Sequence, residues 1–221
     1  EGDTVCIIGG GGKSGVLCCY QAMKNVGPYG KVIVVEYSEE NAQRIKDMNL
    51  ATHVIVADAT KVMDVYKKVT AIAGERGCEV TINNVNVPST EMTSILVTKG
   101  QGCVYFFSMA TSFTKAALGA EGVGKDINLI VCDLGPGSFT GIRIGVATAK
   151  AFRDSLNIPT VGVSSLEALA HNLKTDTIIC SLIDAKKNNV YCEIFENILN
   201  SAFSHIVKRN ASFENIEDLL A

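Results

Sequence analysis

Apolar and β-branched residues fall in short blocks along the first half of the chain, and each block is followed by a stretch with helical spacing. The blocks at 4–8, 31–36, 53–56, 80–84 and 102–107 read as strands; the stretches at 14–26, 39–48, 61–73 and 91–98 read as helices. Strands rich in Val, Ile and Cys that alternate with helices predict a parallel sheet covered on both faces. A ligand of such a sheet lies outside the carboxyl ends of the strands, where the strand order reverses. A further strand at 128–131 is expected as the sixth of this sheet. The helix expected at 139–155 carries Gly141, Gly145 and Ala149 at four-residue spacing on one face. Small residues in such a row allow close approach, either to a partner helix or to the chain's own sheet. Asp184 with Lys186-Lys187 and Asn188-Asn189 reads as a strand end and the turn of a hairpin.

The first strand runs directly into Gly9-Gly10-Gly11-Gly12-Lys13-Ser14-Gly15. Read as G-x-G-x-x-G, the glycines are Gly10 for the tight turn, Gly12 for approach of a pyrophosphate to the backbone, and Gly15 for close helix–strand packing. The helix that follows points its amino-terminal amides and positive dipole end at the phosphates, with Ser14 in its first turn. Gly12-Lys13-Ser14 imitates the end of a Walker-type loop, but the first glycine of that motif would fall at Ile7, inside the strand. Glu36, followed by Tyr37, ends the second strand, where a dinucleotide site needs a carboxylate for the ribose hydroxyls. A carboxylate there, with no nearby Arg in the sequence to accept a phosphate, favours NAD over NADP. Lys13 reads as a phosphate contact or as an ordinary exposed lysine. Asp58-Ala59 reads as a neighbour of the adenine or as a helix cap. Asn84-Val85-Asn86 reads as a contact to the nicotinamide ribose or as plain loop amides. The polar run from Ser108 to Thr114 reads as a wall of the nicotinamide site or as a hydroxyl-rich loop.

Composition narrows the classes. The 221 residues are 47% hydrophobic, 19% charged and 6% aromatic, with no Trp, which suits an aliphatic α/β interior. A net charge of −3 gives no basic footprint for direct nucleic-acid binding. No apolar run is long enough to span a bilayer and no signal peptide is visible. Eight cysteines without C-x-x-C pairs, and three widely spaced histidines, point to reduced thiols, no metal site and a cytoplasmic location. The chain starts at Glu1 and not at Met, as a fragment or a processed chain would.

Two resemblances extend this reading. The run 8–15, Val34-Val35-Glu36-Tyr37-Ser38-Glu39-Glu40, Ala57-Asp58-Ala59-Thr60, Asn84-Val85-Asn86-Val87-Pro88 and the stretch 104–114 resemble the cofactor-binding domain of L-erythro-3,5-diaminohexanoate dehydrogenase, up to about residue 126. The resemblance implies NAD-dependent oxidative deamination of a small amino acid in lysine fermentation, with that family's separate catalytic lobe missing and no catalytic residue identifiable. Gly135-Pro136-Gly137-Ser138-Phe139-Thr140-Gly141-Ile142-Arg143, the stretch 158–170 and Ile183-Asp184-Ala185-Lys186 resemble the bacterial tRNA threonylcarbamoyladenosine biosynthesis accessory protein. That resemblance implies a partial actin-like (ASKHA) α/β lobe with no catalytic role. Its partner would be a second copy or a synthase subunit, met through the helix at 139–155. The expected organisation is therefore a Rossmann-type domain at 1–126 fused to a partial actin-like lobe at 127–221, two partial families in one chain.

Overall fold

The computed structural model describes residues 2–107, 110–173, 177–186, 189–196 and 204–207. The chain divides into two compact units, Glu1–Ile127 and Asn128–Ala221. The first unit alternates β1 (Thr4–Ile8), α1 (Lys13–Asn25), β2 (Lys31–Glu36), α2 (Glu39–Asp47), β3 (His53–Val56), α3 (Val62–Ala73), β4 (Cys78–Asn83), α4 (Glu91–Val97), β5 (Thr98–Phe106) and α5 (Phe113–Gly122). Its five strands form one sheet in the order β3-β2-β1-β4-β5, with every pairing parallel.

The alternation of side chains along each strand explains how both faces are covered. Cys6, Ile8, Ile33 and Val35 point to one face and pack with Val65, Val69 and Val97 of α3 and α4. Val5, Ile7, Val32 and Val34 point to the other and pack with Cys19 and Ala22 of α1 and Ile45 of α2. All of β1 is buried, as a central parallel strand must be. Behind the sheet's carboxyl end, Asn83 is fully enclosed and its amide donates to the hydroxyls of Thr90 and Ser94, both at 2.9 Å. Lys125 closes the unit by donating to the carbonyls of Ile95, Leu96 and Thr98 at the end of α4. These carbonyls have no partner within the helix.

β5 starts four residues earlier than the hydrophobic pattern implies. Thr98 pairs with Cys78, the register then shifts, and pairing resumes at Cys103 opposite Val80, with Gln101 at φ 63° between them. The irregularity hides the start of the strand from a period-two reading.

The second unit contains β6 (Ile130–Asp133), α6 (Phe139–Leu156), β7 (Thr160–Val163), α7 (Ser165–Ala170), β8 (Ile178–Lys186), β9 (Asn189–Glu196) and β10 (Ser204–Val207). The expected sixth strand at 128–131 is corrected. β6 stays out of the first sheet and pairs in parallel with β7 in a sheet of two. Its nearest parallel partner lies one helical crossover away along the chain, and its alternating exposure, with Val131 60% exposed, does not suit a strand buried on both faces. β8 and β9 form the expected antiparallel hairpin, whose turn residues Lys187 and Asn188 lie outside the described residues. Serines cap the helices of this unit: Ser138 accepts from the Gly141 amide and Ser164 from the Glu167 amide. Asn157 in the left-handed region, with Pro159 beyond it, ends α6.

The row of small residues on α6 turns inward at Gly145 and Ala149. Ala149 is buried, and a Cβ on Gly145 would sit 3.6 Å from Cys132 Sγ of β6, so this face packs on the chain's own strand and is not free for a partner helix. Gly141 meets only its own capping Ser138. Because the contact at Gly145 is an ordinary one, Gly145→Ala should stabilise the second unit by about 0.5–1 kcal/mol. Gly145→Leu should destabilise it by about 1–3 kcal/mol through overpacking against β6. Thermal unfolding of the three chains checks both signs.

Candidate functional site

The pairing register around β1 brings the candidate residues together. Ile8 stands opposite Val35 of β2 and Asn83 of β4, so the residues just beyond them, Gly9, Glu36 and Asn84, meet at one edge of the sheet. Two backbone hydrogen bonds hold this junction: the Gly9 amide donates to the Val35 carbonyl at 2.8 Å, and the Asn84 amide to the Ile8 carbonyl at 2.9 Å. This is where the strand order reverses, since β2 leaves β1 on one side and β4 on the other.

Each glycine of the run has a different reason to be glycine. Gly9 has φ 83°, and a Cβ there would lie 2.5 Å from Val85. The turn therefore depends on Gly9, which corrects the assignment of the tight turn to Gly10. Gly10 is required by packing instead, because a Cβ would strike Val34 at 2.5 Å and Cys19 at 3.1 Å. At Gly11 a Cβ would fall on Asn41 and 2.9 Å from Glu36 Oε2. Gly12 is the N-cap of α1, and a Cβ there would have nothing within 4 Å. Gly15 presses its Cα face against the Gly9 carbonyl, where a Cβ would stand at 2.2 Å. Lys13 is exposed at the start of α1 and Ser14 beside it is half-buried.

Glu36 is buried at 8% exposure and is held by two backbone donors. The Gly11 amide donates to Oε2 at 2.7 Å and the Tyr37 amide to Oε1 at 3.0 Å. A carboxylate oxygen accepts more than one hydrogen bond, so each keeps capacity for a hydroxyl. Tyr37 itself is 77% exposed, with its ring away from the core. Arg44 of α2 donates from Nη2 to the Gly11 carbonyl. The site thus has an arginine bonded to the same residue that bonds Glu36, which corrects the expectation that no arginine lies near. It was invisible in the sequence because Arg44 lies eight residues beyond the strand end, past the first turn of α2, and only the fold carries the glycine loop across to it.

On the β4 side, Asn84 Nδ2 is buried and finds no hydrogen-bond partner among the described residues, while its oxygen accepts a long 4.0 Å contact from the Cys18 thiol. The Val85 amide donates to Asn83 Oδ1 at 3.2 Å. Asp58 does not cap α3, whose N-cap is Lys61 with no side-chain bond. Its Oδ1 takes the Thr60 amide at 2.9 Å and the Thr60 hydroxyl at 2.7 Å, and these bonds hold the carboxyl below the usual carboxylate range. The Ala59 carbonyl accepts from the Thr93 hydroxyl of α4 at 2.7 Å. Asp58 and Ala59 follow β3, an edge strand, and are not joined to the glycine loop by any of these bonds. Ser108 lies outside the described residues. A cavity lined by Arg76, Glu79, Lys99, Gly100 and Gln101 sits at the opposite end of β4 and takes no part in this cluster. No group of three or more His, Cys, Asp or Glu that could hold a metal occurs among the described residues. No helix among them is long and apolar enough to cross a membrane.

The residues that sequence spacing missed are Gly9, Gly11, Asn83 and Arg44. A signal existed for the first: Gly9 directly follows the last strand residue, where a sharp turn must begin. The geometry predicts opposite fates for two alanine substitutions. Gly12→Ala, at φ −74° and ψ 169° in open space, should change stability by less than about 1 kcal/mol. Gly15→Ala should prevent α1 from docking on β1 and destabilise the first unit by roughly 3 kcal/mol or more, since backbone, and not a mobile side chain, must yield. Chemical denaturation followed by circular dichroism separates the two.

Comparison with known proteins finds relatives of two kinds. Residues 106–217, just over half of it, match the family model of TsaD, tRNA N6-adenosine threonylcarbamoyltransferase. Over 131 residues the chain is 55% identical to L-erythro-3,5-diaminohexanoate dehydrogenase of Fusobacterium nucleatum, which is 58% of this chain and 37% of that protein. Over 73 residues it is 45% identical to tRNA threonylcarbamoyladenosine biosynthesis protein TsaB of Bacillus subtilis, 33% of this chain and 32% of that one. The solved structure of YeaZ from Pseudomonas aeruginosa aligns with a TM-score of 0.35 and 23% identity, over 43% of this chain and 46% of that one. The chain spans less than two fifths of the length of the curated relatives it matches.

Proposed function

The chain belongs to the tRNA N6-adenosine threonylcarbamoyltransferase family through residues 106–217, and from that premise we propose that its first unit adds a separate function, the binding of NAD as the cofactor-holding part of a dehydrogenase. The observation that carries the reading is the cluster at the sheet's carboxyl edge. An open backbone face at Gly12 heads α1, a buried carboxylate at Glu36 keeps free acceptor capacity, and the Asn84 amide donor has no partner among the described residues. These features fit a dinucleotide. A pyrophosphate needs backbone without a Cβ at a helix start, a ribose needs an acceptor for its hydroxyls, and a buried amide donor needs an acceptor, which a bound nucleotide can supply.

In this reading Gly12 and the first turn of α1 hold the pyrophosphate, and Lys13 and Ser14 flank it. Glu36 accepts the adenosine ribose hydroxyls, with Tyr37 beside it. Asn84 and Val85 face the nicotinamide half, and Asp58 and Ala59 the adenine. When bound, NAD supplies the hydride acceptor. The protein's residues bind and orient it. The similarity to L-erythro-3,5-diaminohexanoate dehydrogenase supports a small amino-acid substrate, and no residue is assigned to the substrate amine.

Cofactor choice is set by two opposed groups. The buried Glu36 charge repels a 2′-phosphate, while Arg44, tied to Gly11, would attract one. With Glu36 in place, NAD should bind at least tenfold more tightly than NADP. Hydrogen bonds to a charged group contribute about 1.5–3 kcal/mol, so Glu36→Ala should weaken NAD roughly tenfold to a hundredfold. NADP should lose far less, because Arg44 remains. Titration calorimetry with both nucleotides reads this directly, and equal or stronger NADP binding by the unaltered chain would overturn the assignment.

A second reading rests on residues 106–217. Their family match and the TsaB relative support a place in tRNA threonylcarbamoyladenosine formation, in which the second unit would act as a non-catalytic accessory through a second copy or a synthase subunit. The side of α6 available for this is the outer one, with Phe139 68% and Ile144 58% exposed and the Arg143 guanidinium 3.8 Å from the Phe139 ring centre. Co-purification with a threonylcarbamoyltransferase subunit, lost in Phe139→Ser, is the expected result. Retention of the complex by that variant would move the contact elsewhere.

A further inference from the structure

We propose that Cys180 and Cys192 form an exchangeable thiol pair in the second unit, one that closes reversibly to a disulfide against a low-molecular-weight disulfide of the glutathione type. The pairing register sets the geometry. Cys192 stands opposite Leu182, and Cys180 lies two residues from Leu182 on β8. Residues two apart on a strand share a face, so both thiols lie on the same face as diagonal neighbours. Their sulfurs are 3.4 Å apart. A disulfide needs about 2.05 Å, so closure has to bring the sulfurs about 1.4 Å nearer, by side-chain rotation and a small approach of the two strands.

The two thiols differ in access. Cys180 is exposed, whereas Cys192 is buried. Burial, and the hydrogen bond with Cys180, push the Cys192 thiol up to about 11. Cys180 is therefore the sulfur that meets the reagent, and Cys192 the one that resolves the intermediate. The Cys180 thiolate attacks one sulfur of the small disulfide, forming a mixed disulfide and releasing one small thiol. Cys192 then gives up its proton and attacks the Cys180 sulfur, and the second small thiol leaves. Two protein thiols are oxidised by two electrons, one small disulfide is reduced to two thiols, and the two protons end on them. The first unit holds a contrasting pair: Cys6 and Cys78 are both fully buried, and hydrogen bonding to Cys78 with burial pushes the Cys6 thiol up. Proximity is shared by the two pairs; access is not.

Closure bears on a cavity of the same unit. Tyr191, adjacent to Cys192, lines it together with Gly137, Ser138, Asp184 and Ala185. A bond between Cys180 and Cys192 would fix the pairing of β8 and β9 beside that wall.

The test is a titration of the native chain with oxidised and reduced glutathione, followed by alkylation of free thiols and peptide mass spectrometry. The expected result is loss of the mass of two hydrogen atoms, a Cys180–Cys192 cross-linked peptide, reversal by reduced glutathione, and alkylation of Cys6 and Cys78 only after denaturation. Cys192→Ser should trap a stable glutathione adduct on Cys180, and Cys180→Ser should leave Cys192 unmodified. The oxidised chain should unfold roughly 5 °C or more higher in the transition of the second unit. A stable adduct on Cys180 of the unaltered chain with no cross-link, or prior oxidation of Cys6 and Cys78, would overturn the proposal without reference to the variants.

Discussion

The first unit depends on one close approach, that of Gly15 to the carbonyl of Gly9. There α1 leaves the sheet at a separation no side chain permits, since a Cβ would stand 2.2 Å from that oxygen. Because the helix starts so near the strand end, the loop between them has only four residues, and its backbone is bonded on both sides. The Gly11 amide goes to Glu36 and its carbonyl to Arg44, while Gly12 is left facing open space. The ladder that places β1 between β2 and β4 then delivers Glu36 to one flank of the loop and Asn84 to the other. Move the helix outward and the buried carboxylate loses the Gly11 amide, one of its two backbone donors, at a cost of about 1.5–3 kcal/mol for a hydrogen bond to a charged group.

Most of this was legible in the sequence because local patterns carry it. Continuous buried runs such as 4–8 and 31–36 mark strands of a parallel sheet, and the four-glycine run after Ile8 marks the turn. What was not legible depends on distance along the chain or on irregularity. Arg44 reaches the loop only through the docking of α2. Asn83, which ties the sheet edge to α4, sits one residue before the loop amides that spacing singled out. The early start of β5 hides behind a register shift, and the G-x-G-x-x-G spacing drew attention to Gly10 although Gly9, directly after the strand, has the positive φ.

In the second unit the same rules gave a correct hairpin and a misplaced strand. The segment at 130–133 has the composition of a strand, but composition does not name the neighbour. Its own crossover helix leads to β7, and among the described residues the two strands pair as a sheet of two. The Gly145 and Ala149 face, which periodicity left open between a partner helix and the chain's own sheet, is settled by the contact with Cys132. The outer side of α6, with Phe139 and Ile144, is exposed, and Arg143 lies over the Phe139 ring.

The central claim is that the glycine loop, Glu36 and Asn84 form one dinucleotide site. Amide-resolved nuclear magnetic resonance of the isotopically labelled chain during titration with NAD tests it most directly. With one site, the backbone signals of Gly11, Gly12, Lys13 and Tyr37 and the side-chain amide of Asn84 shift together with one saturation curve. Shifts confined to the cavity around Arg76, Glu79 and Gln101, or no shift at Gly12 at saturating NAD, would contradict it.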